Sequence, residues 1–255
     1  MRKTFALLTM LVAASSAWTQ TGSTQSASQS TTNQSAPATK PVVHMATKPT
    51  AIIDTTAGKL TCTLFPDKAP IGVKNFIGLA NGTKDWKSPV SGATKHGVPL
   101  YDGTIFHRVI PEFMIQGGDP AGTGAGADPV PPFKNEVSPD LLFDQPGRLA
   151  YANAGRDTNS SQFFVTEKGF TGQQAAMLNG NYTIFGQCDE ASVELVKQIA
   201  RMHTDTNDRP LRPIKINHIT IMRSTGTGTG AKPAAAGTTV KKPAAVAPKP
   251  PASSN

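Results

Sequence analysis

Phe106-His107-Arg108-Val109-Ile110-Pro111-Glu112-Phe113-Met114-Ile115-Gln116-Gly117-Gly118-Asp119 reads as two short strands turning at Pro111-Glu112. Alternation predicts Phe106, Arg108 and Ile110 on one face of the first strand, and Met114 and Gln116 on one face of the second. The pair looks buried, yet it carries an arginine and a glutamine. Unpaired polar groups are costly inside a protein, so both need a reason to be there.

Two later stretches extend the pattern. Tyr151-Ala152-Asn153-Ala154-Gly155 is a turn that leads through Arg156-Asp157-Thr158-Asn159-Ser160 to the strand Ser161-Gln162-Phe163-Phe164-Val165-Thr166. Leu178-Asn179-Gly180-Asn181-Tyr182-Thr183-Ile184-Phe185-Gly186 is a loop followed by another strand. Together, in this order and spacing, the three stretches resemble the signatures of the cyclophilins, peptidyl-prolyl cis-trans isomerases whose arginine stands beside a proline pocket. The resemblance covers roughly Thr50 to Arg223.

The rest of that span fits the same picture. Ala51 to Thr56 and Lys59 to Phe65 flank Ala57-Gly58, a hairpin signal. Pro70 opens a helical pattern with Val73, Phe76, Ile77 and Ala80 on one face, ended by Asn81-Gly82. Lys84 to Pro99 is polar and turn-rich, hence a loop. Strands are expected at about 104–110, 113–117, 148–153, 162–166 and 183–187. A second helix, preceded by Asp189 and Glu190, turns Val193, Val196, Ile199 and Ala200 inward, and Ile214 to Met222 alternates as a last strand. Eight short strands separated by turns predict a mainly β fold, a closed eight-stranded antiparallel β-barrel with no exposed edges. Two α-helices would cap its ends, as the resemblance also implies.

The flanks differ in composition. Met1-Arg2-Lys3, the apolar run Thr4 to Ala14 and the small-residue site Ser15-Ser16-Ala17 read as a secretory signal peptide over 1–17. An uncleaved short anchor is the alternative, and the apolar run is too short to span a bilayer as a stable helix. Residues 18–49 are Ser/Thr/Gln-rich and 224–255 Lys/Pro/Ala-rich. Neither holds enough large apolar residues to offset its ordering entropy, so both are expected to be disordered spacers around an isomerase domain at 50–223. All 17 acidic residues lie between Asp54 and Asp208; the core out to Arg223 also holds 17 Lys and Arg and is formally neutral. The net charge of +8 comes from Arg2, Lys3, Lys40, Lys48, Lys232, Lys241, Lys242 and Lys249. Such a distribution argues against a nucleic-acid-binding face.

The two cysteines, Cys62 and Cys188, stand in apolar strand-like runs. In an exported protein they could be bridged, or each could be a small buried hydrophobe; their separation in sequence leaves both open. Neither has the spacing of a metal site or redox pair, and no metal or cofactor is expected. His107 has no recognisable nucleophile and acidic partner around it, which argues against a hydrolytic triad. Gly122-Thr123-Gly124-Ala125-Gly126-Ala127 follows a Gly-Gly-Asp-Pro turn and opens no helix, so it reads as a loop beside the peptide groove rather than a dinucleotide site.

By resemblance, Arg108 and Gln116 are the catalytic pair. Phe113, Met114, Phe164 and Leu178 form an apolar pocket, Ala152 and Asn153 line the peptide's path, and Met177 and Tyr182 stand at the rim and wall. Tyr182 replaces a common His and keeps an aromatic face and a hydroxyl, so activity is expected to survive; Met177 replaces a common Trp, and the loss of the indole donor implies weak cyclosporin binding. The partners implied are proline-containing unfolded or extended polypeptides. The chain is thus expected to be an exported, periplasmic or secreted, monomeric isomerase assisting folding, with no membrane span after signal cleavage. The competing reading is a non-catalytic proline-peptide-binding chaperone or envelope adaptor on the same fold. Intact Arg108 and Gln116 favour the enzyme.

Overall fold

The computed structural model describes residues 48–223; the expected signal peptide and both expected spacers lie outside them, apart from Lys48 and Pro49. β1 (Thr50–Thr55) and β2 (Gly58–Leu64) form the predicted hairpin. α1 (Pro70–Ala80) starts on its proline, where a missing N–H costs nothing. Glu136 supplies what the helix start still lacks, its carboxylate accepting from the Ile71 and Gly72 N–H groups at 2.9 and 2.8 Å. The expected loop 84–99 contains two very short paired strands, β3 (Trp86–Lys87) and β4 (Thr94–Lys95).

The signature hairpin is β5 (Arg108–Ile110) and β6 (Met114–Gly117). Its tip depends on Glu112, a non-glycine residue at φ 59°. The buried Glu167 carboxylate accepts from the Glu112 N–H at 2.8 Å, and Arg201 bridges the Glu112 and Glu167 carboxylates. There follow β7 (Arg148–Tyr151), β8 (Phe163–Thr166), α2 (Gly172–Leu178), β9 (Ile184–Cys188), α3 (Glu190–Ala200) and β10 (Ile216–Met222). α2 is a third helix beyond the two expected; its seven residues Gly172 to Leu178 bury only Leu178, leaving no apolar periodicity to see. α3 has the Asp189 side chain as its N-cap, accepting from the Ser192 N–H, and buries the four expected residues.

β10, β1, β2, β9, β7, β8, β6 and β5 pair in that order into one antiparallel sheet of eight strands. The expected closed barrel does not form, because no ladder joins β5 to β10. The sheet is curled and open, and its seam is spanned by the irregular stretch before β5. There Ile105 makes single bridges to Lys215 and Asp119, and the Phe106 N–H donates to Ile214 O at 3.0 Å. This irregularity also overturns the predicted face for Phe106. With the strand beginning only at Arg108, Phe106 turns into the core and is fully buried, while Arg108 and Ile110 stay outside it.

β1 pairs with both β2 and β10, and Thr50 faces Met222 across the ladder. Cys62 and Cys188 are direct cross-strand partners in the β2–β9 ladder and are joined by a disulfide. Of the two possibilities left by the sequence, the structure has the bridge.

Strand alternation sorts one set of strands into two apolar clusters. Val109, Ile115, Val165 and Leu149 lie side by side across β5, β6, β8 and β7 and face the interior core with Phe76, Tyr101 and Phe185. Their neighbours Met114, Phe164 and Ala150 face outward, into a second cluster with Phe143, Phe170, Leu178 and Ile184. The candidate site stands on this second face.

Candidate functional site

The register places the catalytic candidates before any side-chain detail. Arg108 pairs with Gln116, Gln116 with Phe164, and Phe164 with Ala150, one row across four strands. On an antiparallel sheet such opposite residues share a face at close range. The arginine, the glutamine and the pocket floor are therefore adjacent because of ladder pairing. A groove of about 510 Å³ opens above the row.

Aromatic contacts fix the floor. Phe164 stacks on Phe143 with centroids 5.8 Å apart and meets Tyr182 edge-on at 5.6 Å, and Phe113 is braced edge-on by Phe170. Met114 and Leu178 complete the apolar part, the latter delivered by the end of α2. Asn179 just beyond α2 holds the neighbouring segment, its side-chain oxygen accepting from the Phe143 N–H at 2.9 Å. Ala152 and Asn153 line the next stretch of groove, where the Asn153 amide donates to Asn181 O at 3.0 Å.

Polar groups ring the floor. Gln116 donates through Nε2 to the Gln162 side-chain oxygen at 3.0 Å, and Gln162 donates to Gly124 O at 3.3 Å. That relay orients the Gln116 amide and leaves it a further N–H. The loop after β6 forms one bank, with Thr123, Gly124 and Ala125 lining the groove as the sequence reading placed them. It is tied down by the buried Asp119 carboxylate, which accepts from the N–H groups of Ala121, Thr123 and Gly124 and from the Thr123 hydroxyl. The His107 imidazole is buried beneath Gly124, with neither ring nitrogen hydrogen-bonded among the described residues. Burial is the main cause that holds its pKa below the usual histidine value, opposed by Asp119 and reinforced by Arg209 and Arg108.

Nine of the ten residues expected at the site line this groove; Met177 does not. Its side chain, on a residue 58 % exposed, borders an adjoining apolar depression that shares Phe113, Leu178 and Tyr182 with the groove. It faces that depression because it sits one residue before Leu178, on a different side of α2. Asp205, Asn207 and Arg209 were missed and form the second bank. Their run Asp205-Thr206-Asn207-Asp208 carries only a turn signal, and nothing local announces that the turn folds back beside Arg108. Among the described residues no group of three His, Cys, Asp or Glu could hold a metal, and no helix is long and apolar enough to cross a membrane.

Residues 50–221 match the family Cyclophilin type peptidyl-prolyl cis-trans isomerase/CLD. Peptidyl-prolyl cis-trans isomerase A of Mycobacterium tuberculosis is 47% identical over 173 residues, 68% of this chain and 91% of its own length. Peptidyl-prolyl cis-trans isomerase B of Streptomyces anulatus is 44% identical, over 67% of this chain and 95% of its own. A Cryptosporidium parvum cyclophilin type isomerase, crystallised in the presence of the dipeptide Ala-Pro, superposes with a TM-score of 0.56. It is 34% identical, over 68% of this chain and 98% of that one. With the motif residues gathered on one face of the family's sheet, the chain belongs to the cyclophilin-type family and is a peptidyl-prolyl cis-trans isomerase.

Proposed function

We propose that this isomerase acts on extended, proline-containing segments of exported proteins, with Arg108 as the electrophilic group and Phe113, Met114, Phe164 and Leu178 as the prolyl pocket. Rotation about X-Pro breaks no substrate bond. Its barrier of roughly 18–20 kcal/mol is lost amide resonance, so the chemistry needs no nucleophile or cofactor. As the bond twists, the prolyl nitrogen lone pair localises and becomes a hydrogen-bond acceptor. A guanidinium that donates to it only then lowers the barrier without tightening ground-state binding. Gln116 donates to a flanking carbonyl, and the Asn153 backbone pairs with the peptide. The observation that carries this reading is the direct pairing of Arg108 with Gln116 beside the aromatic floor.

Export rests on the amino-terminal sequence and on the Cys62–Cys188 disulfide, a bond that persists in oxidising compartments. The protein is taken to work as a monomer. Cell fractionation, with amino-terminal sequencing of the mature protein, tests the location; a reduced, unprocessed cytoplasmic protein would overturn it. For the mechanism, Arg108→Ala should lower kcat/KM by about 10²–10³, the scale for one preorganised donor, with an unchanged melting temperature. Near-normal turnover in that variant would remove Arg108 from the mechanism.

A further inference from the structure

The turn between α3 and β10 is the least expected part of the groove, and it is tightly built. Asp205 Oδ1 accepts from the N–H groups of Asn207 and Arg209 at 2.8 and 3.1 Å, and the Asp205 N–H donates to Arg209 O at 2.9 Å. From this frame two side chains reach to either side. Arg209 Nη2 donates to Gly122 O at 2.6 Å, fastening the opposite bank. Asp208 Oδ2 stands 3.5 Å from Arg108 Nε, and among the described residues this is the arginine's only ion pair. The contact is built into the backbone: Asp208 O accepts from the Val109 N–H at 2.8 Å, so the turn pairs with the residue beside Arg108. Asp208 also holds φ at 61°, in the left-handed region that favours glycine or asparagine.

We propose that Asp208 is a positioning residue for catalysis: it holds the Nε edge of the Arg108 guanidinium and leaves the two Nη groups for the substrate. A free arginine side chain samples many rotamers, and a donor placed beforehand loses less freedom when the twisted bond forms. The carboxylate acts through Arg108 and touches no substrate atom. The inference rests on the assignment of Arg108 made above and is tested separately from it.

Asp208→Asn keeps a side chain that tolerates the left-handed backbone and removes the charge, and Asp208→Gly removes the side chain altogether. In the full chain both should lower kcat about three- to fivefold, the rate equivalent of a half-exposed ion pair, with KM within about twofold and the fold intact by circular dichroism. The Arg108 Nε–H resonance, identified by its loss in Arg108→Ala, should shift and exchange faster with solvent. In an Arg108→Ala background, Asp208→Asn should cost nothing further. Unchanged kcat with an unmoved Nε–H signal would overturn the proposal. So would the same loss with and without Arg108, because it would assign the turn a merely structural role. An Arg108→Ala enzyme of normal activity would instead refute the arginine's assignment, whatever Asp208 does.

Discussion

Phe163 and Phe164 are consecutive residues of β8, both almost fully buried, yet they belong to different parts of the molecule. Phe163 points inward, edge-on to Phe76, Tyr101 and Phe106 in the interior core. Phe164 points outward, stacked on Phe143 beneath the groove. The interior side of the sheet is closed by helices and loops and serves stability. The outer side gathers a second apolar cluster and leaves it open at the groove, where Arg108 and Gln116 edge the opening. One strand pattern of period two thus builds the core and the reaction floor on opposite faces.

The sharpest way to break this contrast is to truncate each phenylalanine. Phe163→Ala should lose about 3–5 kcal/mol of stability, the usual loss for a buried aromatic, while molecules that remain folded turn over normally. Phe164→Ala should lose less stability, since one side of its ring already faces the groove, and kcat/KM at least about tenfold, equivalent to ~1.4 kcal/mol of transition-state binding. Urea unfolding beside an isomer assay separates the two. Equal activity losses would show that the faces are coupled.

A smaller effect is expected at the groove's margin. Met177 lies in the adjoining depression, so Met177→Trp adds an indole N–H near the rim without touching the floor. A ligand acceptor that gains a partner is worth about 1–3 kcal/mol, or one to two decades in affinity. Cyclosporin should therefore bind wild type weakly and Met177→Trp more tightly, with turnover changed less than drug affinity. Titrating the drug while following turnover decides it, and tight inhibition of wild type would refute the idea.

The smallest effect concerns the residue between the two faces. His107 is buried with its pKa held below the ordinary histidine value, mainly by burial, among Asp119, Arg209 and Arg108. The unfolded chain takes up a proton at higher pH than the folded one. Its contribution to stability is thus complete above the unfolded histidine value, about 6.5, and is lost as pH falls through the lower folded value. Urea midpoints of wild type should drop from neutral pH towards pH 5 more steeply than those of His107→Gln. Parallel slopes would show that other groups govern the decline.

Local rules made most of the sheet legible. Alternation and turn residues located all eight strands of the main sheet; Pro70 located the start of α1, and the pair Asp189-Glu190 that of α3 to within one residue. Seams and crossings were not legible. Strand β5 starts late because the preceding stretch crosses to β10 and turns Phe106 inward, and a sequence window sees no such crossing. Leu178 and Met177 look interchangeable in sequence, but a short helix turns one into the groove and leaves the other outside it. Asp205 to Arg209 read as an ordinary turn, because their meaning lies in contacts with Arg108 and Gly122, about a hundred residues earlier.

The pairing of Thr50 with Met222 has a consequence of its own. The polypeptide enters and leaves the folded unit side by side, on neighbouring strands at one corner. A unit whose two ends meet can be set into a host loop, or its ends joined and new ones cut elsewhere, without disturbing its interior. Evolution or engineering can therefore treat it as a cassette, carrying the catalyst to a chosen location on whatever sequence flanks it.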